Sequence, residues 1–312
     1  TLALTLSSCS AALEDKKATG ELAKSIGATD AAYDAALLQD WWTKLSDPKL
    51  GNLVSNAISG NYSLEASRAK LEEAKAKRKT VTAALYPSLT LGAATQRAEP
   101  SKNFAAAQFQ AIDVYQATLD LGWDLDIFGR INSMSRAADF NSEVAAENLE
   151  AAKLAVGVET ASAYIELMMV RDRIRIAQSN LRNLLDAWDI ARAKAAAGLG
   201  STYDLAQAEA EYAKSRAGIP VLEATFAEVY ARISFLLGED AKKFIGCDPK
   251  SLRSCPEFSP EKPVFSGVRF AEGSLLNRPD IRAADFQLRA SLAESSSFNL
   301  EAYPQLRAQV RG

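Results

Sequence analysis

The chain of 312 residues carries 36 basic and 39 acidic side chains, for a net charge of −3, and 48% of its residues are hydrophobic. It contains no histidine, which excludes histidine-based general base catalysis and histidine-ligated metal sites. It lacks the basic surplus that nucleic-acid binding requires, and no apolar run is long enough for a transmembrane helix. We predict no enzyme, no cofactor and no metal site.

The N-terminal residues 1–8 are short, apolar and uncharged, and they resemble the end of a secretory signal peptide. Residues 6–9 also resemble a bacterial lipobox, in which the cysteine, here Cys9, becomes the lipidated first residue of the mature protein. By that resemblance residues 9–40 are a lipid-anchored lead, and the lipid lies in the outer membrane because Ser10 rather than aspartate follows. An unmodified cysteine after an ordinary signal is the alternative.

Two helices are predicted next. Asp47 is a suitable N-cap and Pro48 suits the first helical position, so a short helix begins here and ends at Gly60. A second helix, capped by Ser63, continues to about Leu85 with alternating small apolar and charged residues.

Two strands follow, at about 86–95 and 113–127. From Tyr115 to Ile127 the second strand has apolar residues at odd positions and polar residues or glycine at even positions, which is typical of a strand with one wet face. A soluble antiparallel sheet and the wall of a membrane β-barrel both produce this pattern. In a barrel the odd positions would face lipid, so arginine at Leu121 would destabilise the protein by about 2–4 kcal/mol if this residue lies near the bilayer midplane. The predicted lumen-facing residues are Asp120, Asp124 and Asp126.

A very long helix is predicted from 131 to 197, a stretch that contains no proline. As one helix it would be about 100 Å long, and its apolar residues repeat with coiled-coil spacing. A tight reversal then leads into a return helix at about 201–237, which Pro220 should kink or break and Gly238 should end.

The reversal combines a glycine that can end one helix with a hydroxyl residue that can begin the next. It is therefore a plain pair of caps or, alternatively, a docking surface whose small residues leave the backbone accessible. The tip residues are Gly198, Leu199, Gly200, Ser201 and Asp204.

Two cysteines, Cys247 and Cys255, lie in a proline-rich loop. They could pair in an oxidising compartment or remain free thiols. Two cysteines alone supply only half of a zinc site, so no metal is predicted.

The chain contains an internal repeat. The segment Tyr86-Pro87-Ser88-Leu89 recurs as Tyr303-Pro304-Gln305-Leu306, 217 positions later, and the preceding helix start recurs at the same distance. Repetition at one fixed distance indicates a duplicated structural unit. We interpret residues 41–266 as the first repeat and 267–312 as the start of a second, truncated repeat whose strand begins at Tyr303. The chain is thus expected to be incomplete.

Six segments, in this order and spacing, resemble the TolC-type family of outer-membrane factors, in its lipoprotein branch. The segments are Trp41-Trp42 with Asp47-Pro48, Leu85-Tyr86-Pro87, Asp124 through Arg130, Ala197 through Asp204, Leu236-Leu237-Gly238, and Arg278 through Ala283.

This resemblance implies a mainly α-helical protein with long antiparallel helical hairpins, a β-hairpin that contributes to a membrane barrel, and a homotrimer. It further implies an outer-membrane channel that passes small molecules from an inner-membrane pump and a periplasmic adaptor, with the helical tip meeting the adaptor. The expected location is the bacterial outer membrane, with the helices extending into the periplasm. A periplasmic coiled-coil scaffold or adaptor without a channel is the alternative.

Overall fold

The computed structural model describes Trp42 and residues 47–98, 112–246 and 278–311. The helices and strands of this part of the chain are, in order, α1 (Pro48–Gly60), α2 (Tyr62–Ala83), β1 (Ser88–Ala98), β2 (Ile112–Leu125), α3 (Arg130–Ala196), α4 (Thr202–Leu237), α5 (Lys242–Ile245), α6 (Pro279–Leu300) and β3 (Leu306–Arg311). None of these helices combines the length and apolarity needed to cross a membrane.

These residues form two compact units. The sheet unit contains residues 68–98, 112–149 and 278–311, and the core unit contains Trp42 and residues 47–67 and 150–246. The units therefore do not coincide with the two sequence repeats, because the sheet unit takes residues from both of them.

The sheet unit holds an antiparallel sheet in the order β1-β2-β3, together with parts of three helices. The indole Nε1 of Trp123 donates a hydrogen bond to the Leu85 carbonyl at 3.1 Å and so ties β2 to the segment before β1. On α3, Glu147 is buried and forms an ion pair with Arg282 of α6 at 2.6 Å. Helix α6 is thus held in the sheet unit by its contact with α3 as well as by the strand β3 that follows it.

The core unit is built around one apolar cluster to which α1, α3, α4 and α5 contribute. Its largest fully buried side chains include Leu53, Leu167, Met168, Phe226 and Ile233. Each comes from a helix face that repeats apolar residues every three to four positions. Burial of such faces, rather than helix propensity, supplies most of the stability of packed helices.

The capping of α1 agrees with its prediction, whereas that of α2 does not. Asp47 Oδ1 accepts from the backbone N–H of Lys49 at 2.9 Å, and Pro48 occupies the first turn. The cap of α2 is Asn61 rather than Ser63, because Asn61 Oδ1 accepts from the N–H of Ser63 at 2.9 Å and of Leu64 at 3.2 Å.

The long helix and the return helix are both observed. Helix α3 runs for 67 residues, Arg130–Ala196, one residue earlier at each end than predicted. Pro220 lies inside the continuous helix α4, so of the two predicted alternatives, a kink or a break, the break is wrong. Residues after the proline, such as Phe226 and Ile233, are fully buried in the core, and their packing holds the helix together although the proline lacks a backbone donor.

The duplication is visible in the element boundaries. Helices α2 and α6 both have 22 residues, and each boundary of α6 lies 217 positions after the corresponding boundary of α2. Pro279 occupies the first turn of α6, and Asp280 lies beside it. Hydrogen bonds from Arg278 hold the pKa of Asp280 below its ordinary value. Strand β3 begins at Leu306 rather than at Tyr303.

Candidate functional site

The sheet has one apolar face, and that face is exposed. The register places Leu91 opposite Leu119, and Leu121 opposite both Leu89 and Val310. Leu91 is 77% exposed and Val310 is 66% exposed, so no other described part of the chain covers this face. Monomeric soluble proteins rarely expose apolar patches of this kind unless the patch meets another protein or a membrane.

The opposite face of the sheet is polar, and its charges are paired across strands. Asp120 of β2 lies opposite Arg311 of β3, with 2.5 Å between Oδ1 and Nε. Asp124 lies opposite Arg307, with 3.4 Å between the corresponding atoms. The sequence predicted the two aspartates on this face but did not predict their arginine partners, because they belong to a strand about 180 residues away.

Asp126 does not belong to this face. Strand β2 ends at Leu125, and the Asp126 carboxylate turns to the start of α3. It accepts from the backbone N–H of Ile131 at 3.0 Å and of Asn132 at 2.8 Å. The predicted strand position of Asp126 is therefore wrong, since the carboxylate satisfies free amides of the first helical turn.

A second feature of the polar face was not predicted. A Cβ at Gly122 would lie 3.3 Å from Nη2 of Arg307 and 3.6 Å from Oγ of Ser88. The missing side chain thus leaves room for the Arg307 guanidinium beside the Asp124 carboxylate. Glycine in the middle of a strand, where it is normally unfavourable, was the available signal for this close approach.

The tip of the helical hairpin has the predicted caps. Gly198 has a left-handed φ of 71°, and the N–H of Leu199 bonds to the Lys194 carbonyl at 2.9 Å, as in a Schellman motif. Ser201 Oγ accepts from the N–H of Tyr203 at 3.1 Å and so caps α4. The N-cap of α4 is therefore Ser201 and not the neighbouring hydroxyl residue Thr202, which is the first residue of the helix.

The tip of the hairpin exposes two large side chains, Leu199 and Tyr203. Leu199 is 82% exposed and Tyr203 is 72% exposed. Gly200 packs closely against the preceding helix, because a Cβ there would lie 3.1 Å from Cβ of Lys194. Asp204 lies in the first turn of α4, where a negative charge interacts favourably with the positive end of the helix dipole. Tyr203 was not among the predicted tip residues, although it lies between two of them.

The remaining predicted residues, Cys9, Cys247 and Cys255, lie outside the described residues. Within the described part of the chain, no group of three or more potential side-chain ligands is arranged to hold a metal ion.

Comparison with known proteins assigns the fold to a family. The family profile described as "Outer membrane efflux protein" matches residues 53–239, which is more than half of the chain. The chain belongs to this family. The resemblance to TolC-type outer-membrane factors is thereby confirmed, as is the mainly helical fold class with its long hairpin, small sheet and duplicated unit.

Individual family members show the extent of the match. Nodulation protein T of Rhizobium leguminosarum bv. viciae is 29% identical over 285 residues, which cover 90% of the chain and 56% of that protein. The pyoverdine export outer membrane protein OpmQ of Pseudomonas aeruginosa is 25% identical over 280 residues, covering 88% and 57%. The outer-membrane channel OprN superimposes with a TM-score of 0.71 at 29% identity, covering 87% and 60%. The chain thus spans little more than half the length of these relatives.

Proposed function

We propose that this chain is the major part of an outer-membrane channel subunit in a tripartite export system. In this proposal three copies form the channel, a periplasmic adaptor meets the helical tips, and an inner-membrane pump delivers small molecules. The relatives of this chain include an outer-membrane channel and an export protein of the outer membrane. The observation that carries the proposal is the sheet whose apolar face is exposed while its opposite face is polar.

The dimensions of the strands support a membrane location for this sheet. Strands β1 and β2 have 11 and 14 residues, and a tilted strand of about 9–11 residues spans a bilayer. A sheet of three strands has two edges with unpaired backbone groups, which hydrocarbon does not tolerate. In the proposed trimer, strands pooled from several copies would form one closed barrel and remove those edges.

Substitutions at neighbouring positions of β2 test the barrel. Leu119 and Thr118 are adjacent, so they lie at nearly the same depth but on opposite faces. Leu119→Arg should reduce the amount of folded protein in the outer membrane strongly, because arginine near the bilayer midplane costs about 2–4 kcal/mol. Thr118→Arg, facing a wet lumen, should have a much smaller effect. Equal losses from both variants would contradict the barrel and favour a soluble scaffold.

The tip supports contact with a partner through its exposed apolar side chains. Substitution of Gly198 is a poor test, because its left-handed φ of 71° strains any other residue. Leu199→Glu is sharper, because this side chain is 82% exposed and its removal leaves the caps intact. We expect loss of export with normal amounts of trimer, measured by drug susceptibility beside quantitative blots.

A matched control exists within the same hairpin. Ile190 is 57% exposed and lies on α3, eight residues before the turn. If the tip itself is the docking site, Ile190→Glu should disturb export less than Leu199→Glu does. Normal export by the Leu199 variant would contradict docking at the tip. Its residues Gly198, Gly200, Ser201 and Asp204 would then have only a structural role in the turn.

The lipid anchor is a separate part of the proposal. Cys9 is proposed as the lipidated residue, so Cys9→Ser in the full-length gene should abolish metabolic labelling with palmitate. Undiminished labelling would contradict the lipobox. Cys247 and Cys255 are proposed to pair, and alkylation of both thiols under native, non-reducing conditions would contradict that disulfide.

A further inference from the structure

Two ion pairs join the polar faces of β2 and β3. Asp120 pairs with Arg311 and Asp124 pairs with Arg307, and in each case the two residues lie directly opposite each other. We propose that this charge ladder, defined as these four residues, sets the register between the two sequence repeats. Asp120 and Asp124 are thus positioning residues rather than binding sites for a permeant cation.

The strands β2 and β3 need such a device because no turn connects them. The register of a hairpin is fixed by its connecting loop, but about 180 residues separate the end of β2 from the start of β3. The packing of α6 on α3 brings β3 close to β2, and side chains on the two faces of the strands are then available to select the register.

The alternation of apolar and polar residues excludes some shifts of β3 along β2 but not all of them. A shift by one residue would turn every side chain of β3 to the wrong face, whereas a shift by two residues would leave both faces correct. After a two-residue shift, however, Asp120 would oppose Gln309 and Asp124 would oppose Gln305. Both ion pairs would be lost, so the charge ladder distinguishes registers that the hydrophobic pattern cannot distinguish.

The surroundings of Arg307 are shaped for this pairing. Gly122 lies between the two aspartates of β2, and a Cβ at this position would approach the Arg307 guanidinium to 3.3 Å. The open space lets the guanidinium lie across the strand towards Asp124. By contrast, Arg97 and Asp113 in the β1–β2 hairpin are 4.0 Å apart, on strands that follow one another closely in sequence.

A consequence for the pore rests on the proposed function. The four residues of the charge ladder are the only charged residues on the polar face of the described strands, and their charges cancel. This part of a lumen would then accept solutes without selection by charge. Register also fixes the stagger of a closed barrel and with it the barrel diameter, so the ladder would influence pore width.

Paired cysteines on the opposite face report the register directly. Leu121→Cys with Val310→Cys tests the observed register, and Leu121→Cys with Ala308→Cys tests the register shifted by two residues. Both pairs are introduced into full-length protein in which Cys247 and Cys255 are serine. After oxidation in cells, each cross-linked peptide is quantified by mass spectrometry.

Three versions of the charge ladder are compared. In the reversed ladder Asp120 and Asp124 are arginine, so four positive charges face one another. In the swapped ladder Arg307 and Arg311 are additionally aspartate, which restores two pairs of opposite charge. In the neutral ladder the aspartates are asparagine and the arginines are glutamine.

We expect the unmodified ladder to give mainly the Leu121–Val310 cross-link. Two cross-strand pairs predict that the neutral ladder raises the ratio of shifted to observed cross-link roughly two- to thirty-fold. The reversed ladder should raise it further, and the swapped ladder should restore the original ratio. An unchanged ratio in the neutral and reversed ladders would overturn the proposal, and the neutral ladder keeps it testable if the reversed one fails to assemble.

The cross-links do not depend on transport, so the two proposals can fail separately. Conductance of the purified protein in lipid bilayers provides the second measurement. Register-specific cross-links without any conductance would refute the channel and leave the charge ladder intact. A lower preference for cations with the neutral ladder than with the unmodified ladder would refute the inference that the charges of the ladder cancel in the lumen.

Discussion

The buried side chain of Asn61 links two helices by hydrogen bonds, and we predict how much its replacement by alanine destabilises the protein. The residue is 4% exposed. Its Oδ1 accepts from the first amides of α2, and its Nδ2 donates to the Leu236 carbonyl at 2.9 Å, near the end of α4. That carbonyl belongs to the last turn of the helix, where backbone acceptors have no partner within the helix. Asn61→Ala therefore removes a cap and leaves a buried acceptor unpaired.

The two losses can be added. Loss of the side-chain cap costs about 1 kcal/mol. Leaving the Leu236 carbonyl without a donor costs about 1–3 kcal/mol. We therefore expect Asn61→Ala to destabilise the core unit by about 2–4 kcal/mol, which corresponds to about 30- to 1,000-fold faster exchange of amides that open with this joint.

Hydrogen exchange measured by mass spectrometry on the full-length protein in detergent tests this estimate. Asn61→Asp separates the two contributions, because the carboxylate still caps α2 but cannot donate to Leu236. This variant should protect the start of α2 and expose the end of α4 to faster exchange. Ser63→Ala is the control, because the serine hydroxyl only donates to Asn61 Oδ1, at 2.7 Å.

The outcome of the control decides between two accounts of this helix start. If Asn61 is the cap, Ser63→Ala should change stability by less than about 0.5 kcal/mol, as surface substitutions usually do. If Ser63→Ala destabilised α2 as much as Asn61→Ala does, the cap would be Ser63, and the assignment of Asn61 as the cap would be wrong.

Three further predictions concern single side chains. Burial, then the charge and hydrogen bond of Asp47, raises the pKa of Tyr164 above its ordinary value near 10. This raised pKa stabilises the folded protein below pH about 10, and the stabilisation is lost as pH rises through the folded pKa. Tyr164→Phe should lower the free energy of unfolding by about 1–2 kcal/mol at neutral pH and should flatten the alkaline decline in thermal stability. Gly238→Ala should lower the free energy of unfolding by about 2–4 kcal/mol, because φ is 72° and a Cβ would lie 2.6 Å from the Gly60 carbonyl oxygen. Gly246→Ala is the control: its φ is similar but its Cβ would meet no described atom within 4 Å, so the loss in the same melting assay should be about 1–2 kcal/mol. Asp126→Ala should speed amide exchange in the first turn of α3 by about 2- to 30-fold, and an unchanged rate would contradict its role as a cap.

Local chemistry explains where prediction from the sequence succeeded. The long helix was found within one residue at each end because a proline-free stretch with coiled-coil spacing has few alternatives. The tip caps Gly198 and Ser201 were found because left-handed backbone and a hydroxyl at a helix start are local requirements. Strands β1 and β2 were located with their ends displaced by one to three residues, and β2 was recognised by its alternation of apolar and polar residues.

Local chemistry also explains the errors. Ser63 and Asn61 are both good caps by type, and the choice between them depended on Leu236, which lies 175 residues away. Asp126 fits the alternating pattern of β2, but its carboxylate accepts hydrogen bonds from backbone amides at the start of α3 instead. Pro220 could not break α4 because buried residues on the following turns hold the helix in the core.

The sequence by itself determined the helices, the hairpin tip, the two-faced strand and the duplication, because each depends on spacing along one stretch of chain. Only the tertiary structure decided which strands pair. A repeat distance shows that β3 resembles β1, but it cannot show that Arg307 and Arg311 lie opposite Asp124 and Asp120. Cross-strand partners far apart in sequence are set by register, and register is a property of the assembled sheet.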